Sequence, residues 1–578
     1  MNSEIKICQN CKNDFTIEPD DFAFYEKIKV PAPTFCPDCR NQRRLSWRNE
    51  RSLYKRKDGM TGEDVISVIS NDKPFVVYGH NNWWSDKWEP TNYGKEYNFQ
   101  KPFFSQFRDL LERVPVLAIT NINPSNSEYC SFADGNKDCY LCFAAGWNER
   151  SCYLTRVGFC KDSLDLQGCV RNELCYENVN CTDCYSLYFS QNCKNCTESY
   201  FLYNCRNCNN CIGCVNLISK SYCIFNESHT KEEYEKKMSE MNINSRKGLQ
   251  AVREEFNKLL SQSIRKYANI VNSPNSTGDN IANSKNTRIS FDILDKCEDG
   301  AYLFHSYDLR DNHDGMGMYR CELTYEGIDA NFNSRLLSCV TIYHSNDIFY
   351  SLNCHGSHDL FGCIGLRNKS YCIFNKQYSE NEYRELVEKI IDHMNSMPYT
   401  DKKGVAHKYG DFFPAELSPF AYNETIAQEY FPLTKEQAQE NGYSWKEDEV
   451  RNYKTTKNPD ELSDKIEDIS DEILNEIIGC AHEGKCNEKC TMAFKITQQE
   501  LQLYRKMNLP LPTLCPNCRH YHRLSQRNPM KLWHRQCMCE LKNHTHGEEK
   551  CPNEFETSYS PDRPEIIYCE QCYAHEVL

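Results

Sequence analysis

The 578-residue chain has no apolar run approaching the ~18–20 residues that a membrane span needs. Its first residues, Met1 to Lys6, lack the basic stretch and apolar core of a secretory leader. It has no positive excess either. Sixty-eight Lys and Arg stand against 82 Asp and Glu, a formal charge of −14. Thiolate ligands would deepen that deficit, so the surface as a whole is not built for polyanions. No phosphate-cradling glycine loop, activated nucleophile motif or HExxH stretch occurs. A membrane protein is thereby excluded. The expectation is a cytoplasmic, non-enzymatic chain with no organic cofactor.

One residue type is in excess. There are 36 cysteines, and a cytosolic chain cannot rely on disulfides to hold so many. Four lie near the start, twenty-two between Cys130 and Cys372, and ten from Cys480 onward. The first four read Cys8-x2-Cys11-x24-Cys36-x2-Cys39. Two tight pairs across a spacer suit tetrahedral Zn2+ in a closed structural site that leaves no position for a catalytic water. The same pattern returns 479 residues later. Phe15, Ile17, Tyr25, Pro31 and Pro33 fall on Phe494, Ile496, Tyr504, Pro510 and Pro512, and Arg44-Leu45-Ser46 falls on Arg523-Leu524-Ser525. The second copy has Cys486-x3-Cys490 at its first pair, with Cys480 left over. Its expected ligands are Cys486, Cys490, Cys515 and Cys518.

The pattern C-x-x-C…F-x-I…Y…P-x-P-x-x-C-P-x-C-R resembles the zinc-ribbon domains found in many bacterial proteins of unassigned function. The tail, Cys551-x17-Cys569-x2-Cys572, is similar to a small domain named for its CxxC-x17-CxxC spacing. Glu548 stands where the first cysteine's partner would be. Cys537, Cys539, His544 or His546 could complete the set, and Cys539 is the residue expected beside Cys551, Cys569 and Cys572. The resemblance covers both ends and extends toward the middle. It implies zinc and no particular activity.

In the middle, the cysteines from Cys130 to Cys223 all sit one past a multiple of three, Cys152 excepted. From Cys297 to Cys372 they sit on multiples of three. A twelve-residue period shows in Cys181-x2-Cys184, Cys193-x2-Cys196 and Cys205-x2-Cys208, often with Asn just before the cysteine. A short fixed period is the mark of stacked coils. A parallel β-solenoid is expected, with small thiols inward and Asn at left-handed corners. A row of metal sites or disulfide stapling are the other ways to use such a ladder. The stretch Gly213-Cys214-Val215…Lys220–Asn226 recurs 149 residues on as Gly362-Cys363-Ile364…Lys369–Asn375, each copy followed by a helix-start pattern.

The expected fold is mainly β with helical insertions: zinc ribbons at both ends flanking a duplicated, Cys-rich parallel β-solenoid. The divisions are a ribbon with a basic tail (1–58), an aromatic cap or connector (59–125), solenoid half one (126–228), a helical insertion (229–270) and solenoid half two (271–377). A helix and linker (378–478), a second ribbon (479–536) and a third zinc module (537–578) follow.

Behind each ribbon runs a row of arginines: Arg40, Arg44 and Arg48, then Arg519, Arg523 and Arg527. Four-residue spacing stacks such side chains on one helix face. Guanidinium forks match phosphates, which points to nucleic acid. They match carboxylates equally, so the acidic body of the same chain is the competing partner. Two ribbons on a rod would also suit a protein-binding scaffold. Were there an enzyme, His313, Asp314, His355 and His358 would be the first residues to test, although Asp and His also suit corner turns.

Overall fold

A computed structural model describes residues 2–320, 322–328, 334–447 and 453–577. Cys321 of the central set lies outside the described residues.

From residue 125 onward the chain winds with a twelve-residue period. Ser131 bridges Phe143 in parallel, Phe143 bridges Thr155, and the column continues through Gln167, Val179, Gln191 and Tyr203 to Val215. Bridging residues recur every third position, so each turn is a square of four three-residue sides. The last sides lengthen into a parallel sheet of the strands Tyr185–Tyr188, Thr197–Tyr200, Asn209–Ile212 and Ser221–Ile224.

Every side ends in a left-handed corner. Asp138, Leu141, Ala144, Trp147, Arg150, Tyr153 and Arg156 all have φ between 45° and 60°. Asn180, Asn192, Asn195, Asn204 and Asn207 occupy such corners as the sequence pattern predicts. The bulky corner residues show that the period, not the Asn, sets the geometry. Each such residue costs roughly 1–2 kcal/mol. The backbone offsets it: Tyr153 N donates to Tyr140 O at 2.9 Å, and Arg156 N to Phe143 O at 3.0 Å.

The residue after each corner points inward. Cys130, Cys139, Cys142, Cys160, Cys169 and their successors form one buried core with Leu154, Leu166, Leu187 and Leu202. Thiols donate to carbonyls along the ladder, as Cys175 Sγ does to Glu173 O at 3.3 Å. Cys152, the one cysteine out of frame, joins a different cluster with Tyr153, Tyr176 and Tyr504. A second parallel stack, from Ile270 to Ile373, has the core Leu303, Leu309, Ile342, Ile348, Cys354 and Leu360.

Both stacks close the same way. Cys223 pairs antiparallel with Ser228, and Cys372 with Gln377. A capped helix follows each, with Thr230 and Glu233, then Ser379 and Glu382, forming the capping boxes. The helical insertion expected over 229–270 holds two helices, Lys231–Met241 and Arg246–Gln262, because Asn242 takes a left-handed conformation between them. Over 59–125, Trp83, Trp88, Phe103, Phe104 and Phe107 are buried. Phe103 packs on Phe361 and Phe374 at the end of the second stack. Phe412 and Phe413 dock back onto Trp47 and Phe107.

Candidate metal centres

The first cysteine cluster grows from a hairpin. Strands Glu4–Ile7 and Asp14–Ile17 pair antiparallel, and Cys8 N closes the loop by donating to Asn13 O at 2.9 Å. Cys36 caps the helix Pro37–Leu45, where Pro37 occupies a first-turn position whose N–H is dispensable. Cys36 N donates to Cys8 Sγ at 3.2 Å. The four sulfur atoms of Cys8, Cys11, Cys36 and Cys39 lie within 4.8 Å of one another, so they could hold a metal ion. Hydrogen bonds from Cys36 and Cys39 draw Cys8 well below the ordinary thiol range, as a thiolate ligand requires.

The second cluster corrects one ligand. The structure gathers Cys480, Cys490, Cys515 and Cys518, whereas the spacing pointed to Cys486. Cys480 reproduces the contacts that frame Cys8. Its N–H bonds Met492 O at 2.8 Å, Ala481 N bonds Thr513 O as Gln9 N bonds Thr34 O, and Cys515 N bonds Cys480 Sγ at 3.3 Å. Nine residues separate Cys480 from Cys490 where two separate Cys8 from Cys11, and the longer loop hid the match. Cys486 sits in that loop. It forms a group with His482, Glu488 and Cys518, its Sγ 3.7 Å from that of Cys518.

The third cluster corrects another. Cys537, not Cys539, joins Cys551, Cys569 and Cys572. Cys537 N bonds Asn553 O at 2.8 Å and Cys569 N bonds Cys537 Sγ at 3.2 Å, the same two contacts again. Burial pushes the Cys569 thiol up, but hydrogen bonds from Asn553, Cys572 and Cys537 prevail and leave it at about 7. Cys539 lies beside this set with His544 and His546.

A fourth copy of the hairpin carries no cysteine. Strands Tyr54–Lys57 and Asp64–Ser67 pair as the others do, and Asp58 N donates to Glu63 O. Gly59 N bonds Val77 O, matching the Gln9 contact. Asp58, Thr61, Gly79 and Asn82 stand at the four ligand positions. The Asp58 carboxylate fills the centre, accepting from Met60 N at 2.7 Å, Thr61 N at 2.9 Å, Gly79 N at 2.6 Å and Asn82 Nδ2 at 3.0 Å. Burial pushes Asp58 up, but these donors hold it below the ordinary carboxylate range. A Cβ on Gly79 would come 3.2 Å from that carboxylate. The sequence held the signal: the 479-residue shift carries Asp58 onto Cys537.

The arginine rows expected to face nucleic acid turn inward, onto carboxylates of the same chain. Arg40, Arg44, Arg48, Arg519 and Arg523 are at most 2% exposed. Arg40 Nη2 and Arg44 Nη1 reach Asp314 at 2.9 and 2.7 Å. Arg519 Nε and Arg523 Nη1 reach Asp165 at 2.8 and 2.6 Å. Arg48 pairs with Glu50 at 2.7 Å, and Arg527 with Asp292. The two interfaces are copies. Asp165 and Asp314, both left-handed corner residues, are 149 positions apart. Arg40 lies over Tyr302 and Arg519 over Tyr153, at 5.0 and 4.8 Å. Tyr25 meets Tyr325 edge-on as Tyr504 meets Tyr176. The N-terminal module therefore docks on the second stack and the C-terminal module on the first.

The candidate enzyme residues are dispersed among separate contacts. Asp314 belongs to the arginine pair. His313 Nε2 lies 3.1 Å from Asp21 and its ring stacks on Phe24. His355 is enclosed by Trp83, Trp84 and Tyr343. His358 bonds its neighbour Asp359. His305, Asp308, Asp311, His344, Asp347 and Asp359 are corner residues with φ near 50°. No helix among the described residues is long and apolar enough to cross a membrane, and the described cysteines form no disulfides. No family model matches the chain, and no curated protein matches it.

Proposed function

We propose that this protein is a zinc-stapled scaffold: a cytoplasmic, non-enzymatic binding protein in which zinc ribbons clamp a duplicated β-solenoid. The observation that carries this reading is the duplicated docking of Arg40 and Arg44 on Asp314 and of Arg519 and Arg523 on Asp165. Modules of this size bury too little apolar surface to fold alone, and metal binding supplies the missing free energy. Each folded module then presents two cations to a corner carboxylate of the opposite half. The metal is structural because each tetrad spends all four positions on protein thiols.

With the arginine rows consumed internally, a protein partner is the reading we favour. Trp147 and Phe159, one turn apart on the same corner column, are 56% and 61% exposed. Nucleic acid is a second reading, favoured by one observation. A cleft of about 240 Å³ is lined by Arg206, Arg265, Lys266 and Arg563 beside the carboxylates Asp279 and Glu565.

Two measurements test this. Elemental analysis of chain purified without chelator should find zinc, at three or more ions per chain; its absence would refute the reading. Titration with labelled RNA and DNA across a salt series decides between partners. No binding at low salt supports the protein scaffold, and a steep salt slope supports the cleft.

A further inference from the structure

The C-terminal module brings together more metal-binding groups than one ion can use. Beside the tetrad stand Cys539, His544 and His546, and their donor atoms lie within 4.8 Å of one another and of Cys572 Sγ. His546 Nε2 is 3.3 Å from Cys539 Sγ, and His544 Nδ1 is 3.9 Å from it.

The His546 ring is oriented as a ligand is. Its other nitrogen lies 2.7 Å from Glu549 O, which places the ring proton there and frees Nε2 for a cation. His544 turns Nδ1 toward Cys539 Sγ and Thr545 Oγ1, the latter at 3.2 Å, while its Nε2 is buried 3.4 Å from the Glu576 carboxylate without a hydrogen bond. The loop is shaped to do this. His544 and Gly547 exchange backbone hydrogen bonds, and Gly547 has φ +85°, which holds both histidines on one side. Cys539 is fully buried and the His544 side chain is 2% exposed. An enclosed cysteine and imidazole pointed at one another make a donor set that a cation would satisfy.

We infer that Cys539, His544, His546 and Cys572 form a second metal site that shares the Cys572 thiolate with the neighbouring tetrad. Two tetrahedra joined at one sulfur place two ions side by side in a single module. The donor set, two imidazoles with two thiolates, selects Zn2+ or a similar borderline cation over Mg2+ or Ca2+. The insertion is the source. Thirteen residues separate Cys537 from Cys551 where two separate Cys8 from Cys11, and the extra loop supplies Cys539 and both histidines. The inference rests on the reading of the tetrads as metal sites.

The experiment uses the full chain and counts zinc by elemental analysis. The double variant His544→Ala/His546→Ala should lose one ion per chain relative to the unaltered protein. Cys551→Ser, which touches only the tetrad, should also lose metal, and Cys572→Ser should lose more than either. X-ray absorption at the zinc edge of the unaltered chain provides a readout independent of folding. A shared thiolate places the two ions less than about 4.6 Å apart, twice the zinc–sulfur bond. An unchanged count in the histidine variant, or no zinc–zinc vector, overturns the second site. If Cys551→Ser also leaves the count unchanged, the tetrad reading itself fails, which is a separate result.

Discussion

Removing the Asp314 carboxylate should undo one of the two clamps. In Asp314→Ala, Arg40 and Arg44 keep their burial and lose their counter-ion. Arg40 loses contacts from Nε at 3.0 and 3.1 Å and from Nη2 at 2.9 Å, and Arg44 loses one at 2.7 Å. Burial pushes Asp314 up, but the two guanidiniums prevail and hold it below the ordinary carboxylate range. Orphaning one buried charge costs about 3–5 kcal/mol. Two charges lose their partner here, so the upper end of that range is expected. Hydrogen exchange reads it locally: amides of the helix Pro37–Leu45 should lose protection by about three and a half decades, since about 5 kcal/mol at 1.4 kcal/mol per decade gives that figure. The helix Pro516–Ser525, held by Asp165, should stay protected, and Asp165→Ala should give the reverse pattern. Replacing Arg40, Arg44 and Asp314 together by apolar residues of similar size should restore most of the stability. If Asp314→Ala behaves like Asp308→Ala, a half-exposed corner carboxylate paired with Arg320 at the surface, the clamp reasoning is wrong.

Other outcomes follow from the same geometry. Chelation should release proton-exchange protection around Cys8–Cys39, Cys480–Cys518 and Cys537–Cys572 but not around Asp58–Asn82, which hydrogen bonds hold instead; equal loss in all four would contradict the assignment of Asp58. Asp58→Ala leaves buried N–H groups unpaired and should destabilise by about 2–3 kcal/mol, measured by urea unfolding. His355 and His520, 7% and 0% exposed, are pushed down to about 3, chiefly by burial. His520 also faces the buried Glu429 carboxylate at 3.2 Å, so the pH argument is made for His355: neutral when folded and protonating near 6.5 when unfolded, its stabilisation is complete above pH 6.5 and lost as pH falls toward 3. Each pH unit below 6.5 costs about 1.4 kcal/mol, and His355→Gln should flatten the slope of stability between pH 6.5 and 5. Finally, burial pushes Cys175 and Cys181 far above the ordinary thiol range, so a thiol reagent should leave the central ladder unlabelled until the chain is denatured.

Much of this was legible in the sequence for definite reasons. A cysteine every third residue marks an inward position because each three-residue side puts one side chain inside. Cys152, out of frame, is correspondingly in a different cluster. The 479-residue repeat located two modules because Pro31, Pro33, Cys36 and Cys39 keep their spacing there. It misplaced Cys480 and Cys537 because loop length is free between two cysteines once the flanking strands pair. It overlooked Asp58 because a carboxylate with four donors satisfies the same geometry as a thiolate on a metal, with no cysteine left to see.

The thiol pairs, the frame of the ladder and both internal duplications are properties of the chain read in one dimension. Cysteine spacing and backbone period act within a few residues, so they need no fold to be recognised. The partners of the arginines are different. Arg40 meets Asp314 and Arg519 meets Asp165 across 274 and 354 residues, and a charged row on a helix looks the same whether it faces phosphate or a carboxylate. Only the crossing of each terminal module onto the opposite stack settled that, because burial, which makes such a pair strong, is a property of the assembled molecule.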